Sequence, residues 1–185
     1  SFKLVDFLEG LNPQTFAPSS FRRDEGKITD VPLNKKINLE STIEIVTNQI
    51  ISKTCSLYFL RGEMGAGKTT LVQEICKKLG TSTQASSPTF SLLQKYQLKK
   101  SSQAAKAGNY DEVAHMDLHR IKSVTDIDLG WIEEEMINTG NIVFVEWPEK
   151  LLKKQAFIQF MGRKYLIVEC KIGKKKDHYF RIKEN

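Results

Sequence analysis

Apolar and polar positions alternate along this chain in two periods, and they switch at regular intervals. From Leu39 to Lys53, Ile43, Val46, Ile50 and Ile51 recur at helical spacing, and Ser41-x-x-Glu44 has the form of a capping box, so a helix is predicted there. Ser56–Arg61 is apolar and aromatic over the length of a strand. Leu71, Ile75 and Leu79 then return at i, i+4 and i+8, and Gly80 is a natural stop, which predicts a second helix. Ser86–Leu93 reads as a turn entering a short strand, and residues 97–110, polar and rich in Gly, Ala and Lys, as a flexible hairpin loop. Val113–Leu118 is strand-like, and Ser123–Ile137 is helical, opened by Ser123-x-x-Asp126. Ile142–Glu146 is four apolar residues followed by an acid, the mark of a buried strand. Tyr165–Ile172 and His178–Lys183 read as two strands joined by Gly173–Asp177.

Between the first strand and the second helix stands Gly62-Glu63-Met64-Gly65-Ala66-Gly67-Lys68-Thr69, which fits G-x-x-x-x-G-K-[ST]. Chance would produce such a match in about one chain in a hundred of this composition, and the strand before it and helix after it lower that further. Glycines let successive N–H groups turn inward toward phosphate oxygens. The Lys68 ammonium can reach the β- and γ-phosphates, the Thr69 hydroxyl can ligate Mg²⁺, and the helix aims its positive end at the same anion. Glu63, Met64, Gly65, Ala66, Gly67, Lys68, Thr69 and Thr70 are therefore the candidate nucleotide contacts. Strands alternating with helices around this loop predict an α/β fold of the P-loop NTPase type. It is a three-layer sandwich with a central, mainly parallel sheet and a C-terminal β-hairpin. The P-loop domain is placed at residues 38–185. Residues 1–37, with Pro13, Pro18, Pro32 and Ser19-Ser20, are read as an N-terminal extension whose function is not legible.

The length of 185 residues favours one domain. No apolar run approaches the length needed to cross a bilayer, and the N-terminus shows no signal-peptide pattern. Cys55, Cys76 and Cys170 lie far apart without metal-type spacing, as expected for small core residues in a reducing cytoplasm. The net charge of +6 is uneven: residues 150–185 carry 11 Lys/Arg against 3 Asp/Glu, and the remainder 17 against 19. The basic tail is open to two readings, a surface for RNA or an acidic partner, or a solvated hairpin with a Lys-rich turn at Lys174-Lys175-Lys176.

A P-loop needs an acid at the end of a neighbouring strand to hold Mg²⁺ or its water shell. Glu146 ends the most apolar strand and Asp117 a less apolar one. Asp is usual at the place of Glu146, whose longer side chain suits contact through water or with the nucleophile. Thr89, in a loop stiffened by Pro88, could sense a γ-phosphate or Mg²⁺ as switch loops do. His115 and His119 flank Asp117, but further ligands for a zinc ion are not evident. Trp147 could stack beside a phosphate site or pack in the core.

These motifs, taken in order, resemble one family, the TsaE (YjeE) family of small P-loop ATPases of bacterial tRNA threonylcarbamoyladenosine modification. The resemblance rests on Gly62–Thr70, Ser87-Pro88-Thr89-Phe90-Ser91-Leu92, and His115-Met116-Asp117-Leu118-His119-Arg120. It continues in Leu129-Gly130 with Glu133 to Glu135, and in Val145-Glu146-Trp147-Pro148. It covers residues 38–150 strongly and the basic hairpin more loosely. It implies an ATPase using ATP and Mg²⁺, with Lys68 on the phosphates and Thr69 and Glu146 on Mg²⁺. Asp117 would activate or position water, and Thr89 would belong to a switch loop. Lys68, Asp117 and Glu146 would thus be the catalytic set. The resemblance also implies weak activity alone and partners TsaB and TsaD, with tRNA met indirectly through that complex, whose TsaD member makes the bond. His119 stands where Tyr is usual, the 97–110 loop is long, and residues 1–37 have no counterpart.

Two rival functions stay open on the sequence. A small-molecule or nucleotide kinase could use the same core, although no Arg cluster follows the P-loop helix. A nucleotide-gated interaction module with negligible hydrolysis is the other. A GTPase is disfavoured because Asn-Lys-x-Asp occurs nowhere in the chain.

Overall fold

The computed structural model describes residues 34–84, 88, 91–121, 126–152, 163–175 and 177–184. In chain order these form α1 (Leu39–Ile51), β1 (Leu57–Arg61), α2 (Lys68–Leu79), β2 (Leu93–Gln97), α3 (Gln103–Gly108), β3 (Glu112–Asp117), α4 (Asp126–Ile137), β4 (Asn141–Glu146), α5 (Glu149–Leu152), β5 (Leu166–Ile172) and β6 (His178–Glu184). The strands make one six-stranded sheet in the order β2-β3-β4-β1-β5-β6. The four inner strands are mutually parallel, while β2 and β6 run antiparallel to their neighbours. This is the expected α/β architecture with its C-terminal hairpin, β5–β6.

Side-chain alternation separates the sheet into two faces, each covered by helices. Tyr58 and Leu60 of β1, with Ile142 and Phe144 of β4, join Val46 and Ile50 of α1 and Leu71, Val72 and Ile75 of α2 in one core. Leu57, Phe59, Val143 and Val145 point the other way, to Ile132 and Met136 of α4. Every residue of β4 is buried, which is why its apolar run is unbroken. Stacking of Tyr58 on Phe144, with ring centroids 5.1 Å apart, joins β1 to β4 inside the first core. The three cysteines are free and buried in the described structure. No helix among the described residues is long and apolar enough to cross a membrane.

Two local expectations need correction. The α1 cap is Asn38, not Ser41: the Asn38 side chain accepts the Ser41 N–H at 2.8 Å, and the helix ends at Ile51, just before Lys53 takes a left-handed angle. The stretch at 97–110 is not simply a loop. Ser102 caps α3 by accepting the Ala105 N–H at 3.2 Å, and Ala104 is buried in the first core. One small apolar contact per turn leaves almost no periodicity to read. The expected start of α4 at Ser123 lies outside the described residues. Residues 34–37, read as the end of the extension, run beside β6: Ile37 exchanges backbone bonds with Phe180 at 2.9 and 2.8 Å.

Arg163 fastens the end of the sheet opposite the P-loop. Its guanidinium donates to the carbonyls of Met136 and Asn138 at the end of α4, to the Ser56 hydroxyl before β1, and to the Asn141 carbonyl opening β4. Burial pushes its pKa down, yet a planar fork that reaches five acceptors, the Ser56 carbonyl among them, holds its charge in place. Arg163→Ala leaves these acceptors unmatched and should lower unfolding free energy by about 3 kcal/mol in a urea titration. A loss below about 0.5 kcal/mol would show that the fork carries no stability.

Candidate functional site

Between β1 and α2 the chain curls through three glycines whose backbone angles L side chains rarely adopt: Gly62 at φ +153°, Gly65 at +78° and Gly67 at +91°. Gly62 has a second reason to be glycine. A Cβ there would fall 2.2 Å from the Cys170 carbonyl oxygen, so the loop can lie against β5 only without a side chain. Ala66 turns its methyl into the core and donates its N–H to the Glu63 carbonyl at 3.2 Å. The first backbone bond into α2 runs from Leu71 N–H to the Gly67 carbonyl at 2.9 Å, and Gly67 provides no side-chain cap. The amides of Lys68, Thr69 and Thr70 therefore form an uncapped helix start, the arrangement that favours an anion.

Parallel pairing brings the acids to this loop. β4 pairs with β1 and β3 so that Glu146 stands opposite both Leu60 and Asp117. Alternation along β3 and β4 then turns His115, Asp117 and Glu146 to the face carrying α2. The Thr69 hydroxyl donates to Glu146 Oε1 at 2.8 Å, and His115 Nε2 lies 2.9 Å from the same oxygen. Glu146 is only 2% exposed, and a carboxylate so buried needs such partners. Asp117 accepts the His119 N–H on Oδ1 at 2.9 Å. The Lys68 ammonium donates to the carbonyls of Gly62 and Glu63 at 2.8 and 2.9 Å and lies 4.2 Å from the centroid of the Trp147 ring. That ring also packs on His119, with centroids 4.8 Å apart. Behind the loop, burial pushes the Cys170 thiol up to about 12 despite the nearby Lys68 charge, leaving a neutral wall.

These groups line a cleft of about 560 Å³, a volume in the range of small-molecule sites. Lys68, Thr69, Asp117 and Glu146 give the lining its charged and polar groups, and Leu39, Met64, Trp147 and Phe180 give it apolar surface. Of the residues expected from the sequence, Met64, Gly65, Gly67, Lys68, Thr69, Thr70, Asp117 and Glu146 all line it. Glu63 and Ala66 do not; they enter only through backbone bonds. Thr89 lies outside the described residues. Leu39, His178 and Phe180 were missed because they come from the two ends of the described chain and carry no local motif. Only the pairing of β6 with β5, and α1 packing beside it, brings them to the loop.

Comparison with known proteins places this geometry in a family. The family model described as "Threonylcarbamoyl adenosine biosynthesis protein TsaE" matches residues 36–178. The chain belongs to the TsaE family. It is 41% identical over 99 residues to a Rickettsia conorii protein named tRNA threonylcarbamoyladenosine biosynthesis protein TsaE, covering 52% of this chain and 49% of that one. A Rickettsia prowazekii protein of the same name is 35% identical over 119 residues, covering 63% and 72%. A Haemophilus influenzae protein of that name is 31% identical over 94 residues, covering 51% and 52%. The chain thus spans about half the length of the first and last of these relatives. The TsaE match takes in the P-loop, both acids and His178, and so contains the cleft apart from Phe180.

The two loop glycines should respond differently to substitution. Gly65→Ala meets open space and only the left-handed angle, costing about 1 kcal/mol. Gly62→Ala drives a methyl into backbone and should cost about 3 kcal/mol, because a strand carbonyl cannot rotate away. Equal losses in urea unfolding would show that the loop is not seated on β5.

Proposed function

We propose that this chain binds ATP with Mg²⁺ in the cleft and hydrolyses it, as an accessory ATPase of tRNA threonylcarbamoyladenosine modification that works with TsaB and TsaD. The observation that carries the reading is the hydrogen bond of 2.8 Å between Thr69 and Glu146, which joins the P-loop helix to the strand-end acid. The lining supports it too: its apolar side chains suit a base, and an uncapped helix start at Lys68 suits phosphates. The names of the relatives supply the pathway.

In this reading the amides of Lys68, Thr69 and Thr70 and the Lys68 ammonium hold the phosphate chain. Lys68 exchanges a loop carbonyl for a phosphate oxygen. Thr69 and Glu146 are the residues that would hold Mg²⁺. One hydroxyl and one carboxylate fit an ion that takes its remaining oxygens from phosphate and water, and no group of three or more His, Cys, Asp or Glu among the described residues forms a dedicated metal cage. When bound, Mg²⁺ supplies neutralising charge to the phosphate oxygens. Water attacks the terminal phosphorus and the bond to the bridging oxygen breaks, giving ADP and phosphate. The proton of the water passes to a carboxylate at the strand ends. In this reading the acceptor is Asp117, which lines the cleft and stands level with Glu146 across the β3–β4 pairing. Hydrolysis resets the complex between turnovers; TsaD makes the bond to tRNA.

The test is Mg²⁺-dependent phosphate release from ATP, with and without a TsaB–TsaD pair and tRNA. Stimulation by the partners supports the accessory ATPase. A phosphorylated acceptor would instead mark a kinase, and nucleotide binding with no release an interaction module. Lys68→Ala should weaken ATP binding about 100-fold, read by calorimetry. Unchanged affinity would remove the P-loop assignment. Glu146→Ala should keep most ATP affinity and lose about 100-fold or more in kcat; a fully active variant would make Glu146 structural.

A further inference from the structure

His115 is fully buried on β3, on the face it shares with Asp117 and Glu146. Its Nε2 is 2.9 Å from Glu146 Oε1, while its Nδ1 is buried with no hydrogen-bond partner among the described residues. A carboxylate oxygen accepts, so the ring hydrogen that makes this contact sits on Nε2. A hydrogen on Nδ1 would be buried without an acceptor, and the tautomer protonated at Nε2 avoids that penalty. The ring is thereby fixed in one tautomer and one orientation, held in β3 by pairing on both sides, opposite Gln94 of β2 and Phe144 of β4.

Two donors meet on one oxygen. Thr69 Oγ1 and His115 Nε2 both address Oε1, and Oε2 takes neither bond. The two donors differ in permanence. Thr69 belongs to the loop that would meet phosphate and Mg²⁺, and its hydroxyl has one hydrogen to give. The imidazole is locked inside the sheet and has no other hydrogen-bond partner among the described residues.

We propose that His115 is the positioning residue for Glu146. Its Nε2–H anchors Oε1, orients Oε2 toward the cleft, and keeps that orientation when the Thr69 hydroxyl turns to another ligand. Without the anchor, a glutamate with three rotatable bonds loses its fixed aim. The inference rests on the ATPase reading above, and it adds a residue that touches none of the reacting atoms.

The test compares two amides. In His115→Gln the side-chain nitrogen falls near the place of Nε2; in His115→Asn it reaches only as far as Nδ1. His115→Asn should lose about 10- to 100-fold in kcat, with ATP affinity within about threefold of the unmodified chain, and His115→Gln should recover most of the rate. Adding His115→Asn to Glu146→Ala should cost nothing further, because its only route of action is gone. Long-range nitrogen–proton NMR correlations of the imidazole give a readout apart from activity: a ring protonated at Nε2 is expected. A ring protonated at Nδ1, equal losses in the Asn and Gln variants, or an additive double variant would each overturn the proposal. Failure of the ATPase reading is distinguishable. The unmodified chain would then release no phosphate, and the ring tautomer would decide alone whether His115 holds the carboxylate.

Discussion

The arrangement depends on one row of backbone. β4 is hydrogen-bonded to β1 on one side and β3 on the other, and this sets Leu60, Glu146 and Asp117 level with each other at the carboxyl ends of three parallel strands. A slip of one residue in either pairing would turn Glu146 or Asp117 to the opposite face, away from α2. The unbroken apolar run of β4, buried on both faces, keeps that register. The chemistry at the strand end therefore inherits its precision from hydrophobic packing several residues earlier.

Backbone strain collects where that row meets solvent. Leu92 and Trp147 both hold positive φ, +61° and +58°, where a branched or bulky side chain is disfavoured by about 1–3 kcal/mol. Each is tied to the row by a backbone bond: the Asp117 N–H donates to the Leu92 carbonyl at 2.9 Å, and the Trp147 N–H to the Leu60 carbonyl at 3.2 Å. The bend at Trp147 breaks the strand direction just after Glu146 and sets the indole ring over the Lys68 ammonium. The strain thus has a visible return in side-chain placement, which a relaxed β conformation would not give.

The sequence was most legible where one segment carries its whole signal. β1, α2 and β4 each show it through periodicity or an unbroken apolar run, and the glycine spacing of the P-loop is a backbone requirement written directly into residue type. Legibility fell wherever a role depends on what another segment brings. Ser41-x-x-Glu44 looked like a cap, but Asn38 lies closer to the true helix start and took the bond. Asp117 and Glu146 were both recognisable as strand-end acids. Only the register and the position of Thr69 show which of them meets the P-loop helix. His115 showed only as one of two histidines flanking Asp117 without further metal ligands, because its partner is 31 residues away along the chain. Leu39, His178 and Phe180 were invisible for the same reason.

The strip of chain at residues 34–37 bears on how this protein can meet others. β6 is the last strand of the sheet, and an open last strand invites another chain to pair with it. Here Ile37 already uses the amide and carbonyl of Phe180, and the Asn34 N–H takes the Ile182 carbonyl at 3.0 Å. At the opposite margin, the Ser82 N–H takes the Gln97 carbonyl of β2 at 2.8 Å. Strand addition at these positions would first have to displace the protein's own backbone.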